Sequence, residues 1–252
     1  MGEADEKDGY FGGRVAATYD ESAAEMFEPG AVDPVVDVLA ELAGDGPALE
    51  LGIGTGRIAL PLAERGVPVH GIELSRAMTA RLREKPGGDA IGVTIGDFAT
   101  ARAEGKGTFT VAYLVFNTIM NLTTQDAQVA CFRNVADHLA PGGRFVIEVM
   151  IPELRKLPPG QHIVPFRLDA ARWGFDTYDV ATQEMSSHHL FLTEDGRATY
   201  TPMPFRYVWP AELDLMARLA GMRLRDRWEG WAREPFTNDS PRHVSVWEKP
   251  AH

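Results

Sequence analysis

Residues 48–57 read ALELGIGTGR: an apolar run broken by a glutamate, then glycine at every second position, then an arginine. An apolar run closed by glycines fits a buried strand feeding a helix, and the turn between them lets backbone N–H groups approach a polar ligand closely. A dinucleotide-binding turn needs Gly-x-Gly-x-x-Gly. Gly52 and Gly54 match its first two positions, but Arg57 occupies the last, and Gly56 arrives one residue early. Glu50, just ahead of the loop, is badly placed for a pyrophosphate and well placed for a cationic amino-acid group. The register therefore disfavours NAD.

Outward from this loop, the first 150 residues alternate short β-branched runs with helical patterns. That alternation predicts an α/β fold with a doubly wound, mostly parallel, Rossmann-like sheet. Strands are expected at PALELGI, VPVHGIEL, IGVTIGD, FTVAYLVF and RFVIEVMI, and helices at about 57–65, 76–85 and 124–139. Thr123 and Asp126 form a capping-box pattern for the last helix, Val129, Phe132, Ala136 and Leu139 repeat at helical spacing, and PGG at 141–143 stops it. Cys131 reads as a small buried filler within it. After Ile151, residues 161–208 alternate as an antiparallel insertion of three or four strands, with EDG at 194–196 as a hairpin turn. A helix at 210–220, started by Pro210 and ended by Gly221, and the strands MRLRDRWEGW and RHVSVWEK then close the main sheet. This predicts one domain: an N-terminal lid over residues 1–30, a core of 31–151 and 209–252, and an insertion of 152–208. Only the first nine residues look disordered.

The length of 252 residues suits a single generous domain. With 36 acidic against 25 basic residues the net charge is −11, so a nucleic acid would meet repulsion and gain little counterion release. No stretch approaches the apolar run of ~20 residues that crosses a bilayer. The acidic start MGEADEKDG is the opposite of a signal peptide, and a cytoplasmic location is expected, with no membrane partner. The single cysteine excludes internal disulfides and a cysteine-built metal cluster. A small molecule is the better partner.

Four features in order carry a resemblance. ELGIGTG is similar to the acidic-x-Gly-x-Gly-x-Gly motif of class I S-adenosylmethionine-dependent methyltransferases. Glu73 stands at the end of the second strand, 21 residues after Gly52, and ELSRAM looks like the family's acid-x-Ser-x-x-Met. GDF at 96–98 resembles the third-strand turn that reads adenine, and LAPGGRF at 139–145 the turn before the fifth strand. The resemblance implies S-adenosyl-L-methionine as cofactor. It gives Glu50 and the Gly52–Gly54 backbone to the methionyl part, Glu73 to the ribose hydroxyls, and Leu74 and Met78 to the flanks of the adenine. It likewise gives Asp97 and the Phe98 N–H to the adenine edge and the Phe116 carbonyl to the cofactor ammonium.

Methyl transfer from a sulfonium asks the protein mainly to align the nucleophile and exclude water; a hydroxyl acceptor needs a base, a neutral amine does not. FNTI follows the fourth strand in place of the Asn-Pro-Pro-Tyr type of motif of base-amine methylases, no Pro-Cys nucleophile exists, and no carboxylate set for a divalent metal is evident. Tyr10 and Tyr19 lie in a stretch, GYFGGRVAATYDESAAEMF, that resembles the family's lid: Tyr19 is expected against the cofactor, Tyr10 against substrate, and Asn117 as a further substrate contact. All three are candidate catalytic residues, with packing or loop capping as their plain alternative. His188 and His189 fall on opposite faces of a strand, so one of them could contact substrate; a structural or interface role is the plainer reading. The lid, core and insertion together resemble antibiotic-pathway methyltransferases acting on amino-sugar nitrogen, including the amino-sugar N,N-dimethyltransferases and lincosamide N-methyltransferases. An O-methyltransferase, or a cofactor-binding regulator without activity, stays open. Phe166, Trp173, Phe175, Leu190 and Phe191 on the insertion predict a homo-oligomer.

Overall fold

Each expected apolar run of the first half becomes a strand in the computed structural model, which describes residues 8–193 and 197–251. These are β1 (Ala48–Leu51), β2 (Val69–Glu73), β3 (Gly92–Ile95), β4 (Phe109–Leu114) and β5 (Leu139–Met150), mutually parallel in the order β3-β2-β1-β4-β5. Because β1 has β2 on one side and β4 on the other, chain direction across the sheet reverses there. The C-terminal ends of these strands form the crevice in which such folds bind ligands.

Helices cover both faces. They are α1 (Gly13–Ser22), α2 (Pro29–Ala43), α3 (Ala59–Glu64), α4 (Arg76–Arg83), α5 (Gln125–His138) and α6 (Pro210–Leu219). One face of the sheet packs Leu49, Ala112, Leu114, Phe145 and Ile147 against Cys131, Phe132 and Val135 of α5 and Met216 of α6. The other packs Ala48, Val111, Tyr113 and Val146 against Val32, Val35, Val36, Leu39 and Leu42 of α2. That second helix is missing from the sequence reading. Its spacing of valines and leucines is helical, but Pro29, Gly30 and Pro34 look like breakers; Pro29 sits at the first turn, where the lost N–H costs nothing.

The insertion is a separate four-stranded antiparallel sheet: β6 (Ile163–Leu168), β7 (Arg172–Tyr178), β8 (Glu184–Leu192) and β9 (Ala198–Arg206). The expected turn at 194–196 lies outside the described residues. A buried polar knot fastens β9 to the helices: Arg206 donates to Gln128 at 2.6 Å, to Gln183 at 3.1 Å and to Glu212 at 2.8 Å. Finally β10 (Arg223–Trp228) and β11 (Arg242–Glu248) add to the main sheet, β11 antiparallel to β5.

Three local expectations need correction. The N-cap of α5 is Thr124, whose hydroxyl accepts from the Ala127 N–H at 3.2 Å, one residue after the expected Thr123. Helix α5 ends at His138, before the PGG segment, and Gly142 at φ +78° turns the chain within the first residues of β5. Of the nine residues read as disordered, 1–7 lie outside the described residues, whereas Asp8 is buried and bonded. Among the described residues no helix is long and apolar enough to cross a membrane.

Candidate functional site

The loop after β1 folds as its glycines require. Gly52 and Gly54 have φ of +69° and +57°, a region costly for residues with a Cβ, and a Cβ on Gly52 would lie 2.9 Å from Thr118 Cγ2. The Gly54 N–H donates to Glu73 Oε2 at 2.8 Å, and the Ser75 N–H to Glu73 Oε1 at 2.9 Å. The carboxylate at the end of β2 therefore already ties the glycine loop to the turn that starts α4. Burial pushes the Glu73 carboxyl above its ordinary value, while the N–H donors of Ser75 and Gly54 oppose the shift.

Glu50 sits one strand inward. Register places it beside Tyr113 of β4, and the Tyr113 hydroxyl donates to Glu50 Oε2 at 3.0 Å. Burial raises the Glu50 carboxyl to about 8, against the lowering influence of Tyr113 and Arg57. A buried acid with no cation bonded to it, at the mouth of a glycine loop, is a fitting socket for an ammonium group.

The remaining candidates surround this pair. Met78 is buried with its Cε 3.4 Å from where a Gly54 Cβ would be, and Leu74 is exposed beside Gly9. Phe98 lies next to Gly52, while Asp97 is exposed with Oδ1 accepting from the Ala99 N–H at 2.8 Å. Phe116 and Asn117 both take left-handed backbone angles, φ +56° and +63°. Such strain costs about 1–3 kcal/mol per residue and gathers at functional sites. Glu148 holds this turn, its carboxylate accepting from the Phe116 N–H and its carbonyl from the Asn117 N–H. The Asn117 Oδ1 accepts from the Met150 N–H at 2.7 Å, so its amide caps the turn and only Nδ2 faces elsewhere.

The N-terminal segment closes over this edge. Tyr10 packs on Phe11 and Phe11 on Tyr19, edge to face, at centroid distances of 5.2 and 6.1 Å. Burial raises the Tyr19 hydroxyl, which feels Arg57, Glu73 and Glu50 at once. Residues the sequence reading passed over do the fastening. Asp8 accepts from the first N–H groups of α4, Arg76 and Ala77, at 3.0 and 3.1 Å. Asp20 accepts from the Thr55 hydroxyl at 2.6 Å and pairs with Lys85, and Arg57 donates to the Met26 carbonyl while lying over the Phe116 ring. A carboxylate at a helix start is a recognisable cue only once the fold shows which helix it meets.

The histidines separate as strand alternation requires. His188 stacks between Phe175 and Tyr200 on the outer face, with Tyr200 OH and Thr177 Oγ1 on its two nitrogens. On the inner face, His189 meets Arg172 at Nδ1 and Ser187 Oγ at Nε2. A cavity of about 470 Å³ lined by Leu60, Val67, Val69 and Ile91 lies away from the glycine loop, and its lining is apolar except for Glu64.

A mostly parallel sheet with a glycine loop after its first strand and acids on its first two strands defines a nucleoside-cofactor enzyme. A family profile described as a methyltransferase domain matches residues 48–143. The structure of the CcbJ methyltransferase from Streptomyces caelestis superposes with a TM-score of 0.83 at 35% identity, over 96% of this chain and 98% of that one. Cypemycin N-terminal methyltransferase from a Streptomyces species is 29% identical over 245 residues, covering 92% of this chain and 98% of that protein. A third similarity, to the S-adenosylmethionine-bound amino pentose methyltransferase CalS10 at 23% identity and a TM-score of 0.64, shows the shared fold. The chain belongs to the class I S-adenosylmethionine-dependent methyltransferases, and S-adenosylmethionine is its cofactor.

Proposed function

We propose that the chain methylates an amine nitrogen of a small natural product, an amino sugar among the fitting classes. The observation that carries this reading is the state of the two histidines. A hydroxyl acceptor needs a base, and each imidazole of the insertion already has partners at both ring nitrogens. A neutral amine brings its own lone pair and needs no enzyme base. Cypemycin N-terminal methyltransferase, by its name a transferase to an N-terminus, supports nitrogen as the acceptor.

In this reading Glu50 and the Gly52–Gly54 backbone hold the methionyl group, Glu73 the ribose hydroxyls, Leu74, Met78, Asp97 and Phe98 the adenine, and the Phe116 carbonyl the ammonium. The bound cofactor supplies an electrophilic methyl group on sulfur. Tyr19 shields the cofactor, while Tyr10 and the Asn117 Nδ2 orient the acceptor and the lid excludes water; orientation of this kind supplies up to ~7–11 kcal/mol of barrier reduction. The test is turnover of an amine panel, with mass fragmentation locating the added methyl. The rate should rise with pH through the acceptor amine's own pKa, and His188→Ala and His189→Ala should remain active. Methylation of a hydroxyl instead, with either histidine essential, replaces this reading by an O-methyltransferase.

The outer face of the insertion supports a homo-oligomer. Ile163 (47%), Trp173 (46%) and Tyr200 (53%) stand exposed there beside Phe175 and Leu190, whereas Phe166 and Phe191 turn to the inner face. Exposed apolar patches of this kind mark interfaces, and a second copy is the occupant a self-complementary face accommodates. Light scattering should give a dimer or a multiple of it at micromolar concentration; a monomer refutes the proposal.

A further inference from the structure

Away from the cofactor crease, unpaired buried polar atoms collect on one face of the insertion. Arg172, Gly174, Asp176 and Tyr178 share that face of β7 by alternation, and Ser187 and His189 of β8 stand opposite Asp176 and Gly174. At one end Tyr178 and Met185 pack into the main core. At the other, Arg172 bonds His189 and lies within electrostatic reach of Tyr10 in the lid. The face therefore runs from the core toward the lid. Asp176 stands midway and is only 9% exposed. Its carboxyl meets the Ser187 hydroxyl, but its Oδ1 has no hydrogen-bond partner, and neither has the Arg172 Nε; the Tyr178 hydroxyl reaches the Glu153 backbone.

Buried polar atoms are paired in the great majority of cases. Two unpaired ones on the same face of a single strand, one of them a carboxylate oxygen, are better explained by a ligand than by packing. The Asp176 carboxylate makes the middle of this face an acceptor of hydrogen bonds, while the Arg172 Nε–H, four residues away at the lid end, can only donate. An ionised carboxylate only accepts, and the Ser187 and Tyr178 hydroxyls can turn to accept or donate. Burial raises the Asp176 carboxyl to about 6, and nearby Glu153 adds to the shift, so an arriving cation would favour its ionised form.

We propose that Asp176 binds the methyl acceptor, its carboxylate receiving an amine or ammonium group on the inner face of β7 and β8. The proposal rests on the amine-acceptor reading and adds to it the residue that selects the acceptor. Asp176→Asn keeps the shape of the side chain and removes its charge; Asp176→Ala removes both.

The test uses the full chain loaded with S-adenosylhomocysteine and a probe panel of amino sugars, amino-acid amides and short peptides with free N-termini, followed by ligand-observed NMR. At least one probe should bind the wild type, and both variants should weaken it about tenfold or more, the scale of a charged hydrogen bond. Affinity for S-adenosylhomocysteine should be unchanged, and Tm at neutral pH should hold or rise, since folding no longer has to bury an ionising carboxyl. Unchanged probe affinity in folded variants, or no probe bound by the wild type, overturns the proposal. Turnover separates it from the reading beneath: a probe held through Asp176 but never methylated refutes N-methylation and leaves the subsite standing. A probe methylated with unchanged KM in both variants does the reverse.

Discussion

Glu73→Ala is expected to weaken S-adenosylmethionine binding by roughly 100-fold or more and to lower Tm in the cofactor-free protein. A charge-assisted hydrogen bond contributes about 1.5–3 kcal/mol, so loss of the proposed ribose contact alone corresponds to roughly 10- to 150-fold. The structure adds a second loss. Glu73 also accepts from the Gly54 and Ser75 N–H groups, and leaving such buried donors unpaired costs about 1–3 kcal/mol each. Without the carboxylate the glycine loop loses its tie to β2, and the surface that meets the methionyl group moves with it. Calorimetry measures the affinity, and scanning calorimetry of the cofactor-free variant measures the loop's share. A variant with unchanged affinity refutes the ribose assignment. A variant with lower Tm but unchanged affinity reduces Glu73 to a structural tie. Glu73→Gln separates the two contributions, because it keeps an acceptor for one N–H while presenting an amide to the other.

The parts of the fold that were legible are those in which local pattern and final environment agree. The central strands β1 and β4 are buried along nearly their whole length and appear as apolar runs, the flanking parallel strands keep enough apolar residues to be read, and the strand-end acids and glycines follow at fixed offsets. Helix α2 is hard to read in the sequence because a proline at its first turn and Pro34 inside it mask a clear helical spacing of valines. The site was less legible wherever a residue acts across space. Asp8 and Asp20 serve partners 68 and 35 positions away, and nothing in their neighbourhoods announces that. The place of Asn117 after β4 suggests a substrate contact but not that its oxygen accepts from the Met150 N–H, which leaves Nδ2 for that role. Two residues did leave a signal. Tyr113 is a hydroxyl at the buried end of a strand that is apolar apart from Thr110, and Asp176 is an acid at a buried position of an alternating one. Each requires a partner, and the register of β1 with β4 supplies Glu50 for the first.

Glu50 should make cofactor binding and stability depend on pH in opposite directions. Its carboxyl holds a proton up to about 8 in the folded chain, against an ordinary value of 4.5. Between those values the folded state binds more protons than the unfolded one, so this group's contribution to stability falls as pH rises through the window. It is flat below 4.5 and again above about 8. Ionising it fully costs roughly 5 kcal/mol on the scale of 1.36 kcal/mol per pH unit. Glu50→Gln stays neutral at every pH and still offers an oxygen to the Tyr113 hydroxyl. The cofactor-free variant should therefore match the wild type near pH 5 and exceed its Tm by roughly 10 °C at pH 9. Binding runs the other way, since the proposed ammonium partner favours the ionised carboxylate. Near pH 7 the wild type should release about one proton on binding S-adenosylmethionine, seen as a binding enthalpy that varies with the ionisation heat of the buffer. The glutamine variant should release none and bind about tenfold or more weakly. A buffer-independent enthalpy in the wild type would remove Glu50 from the methionyl site. Parallel Tm curves for the two proteins from pH 5 to 9 would show that its carboxyl ionises in the folded chain as readily as in water.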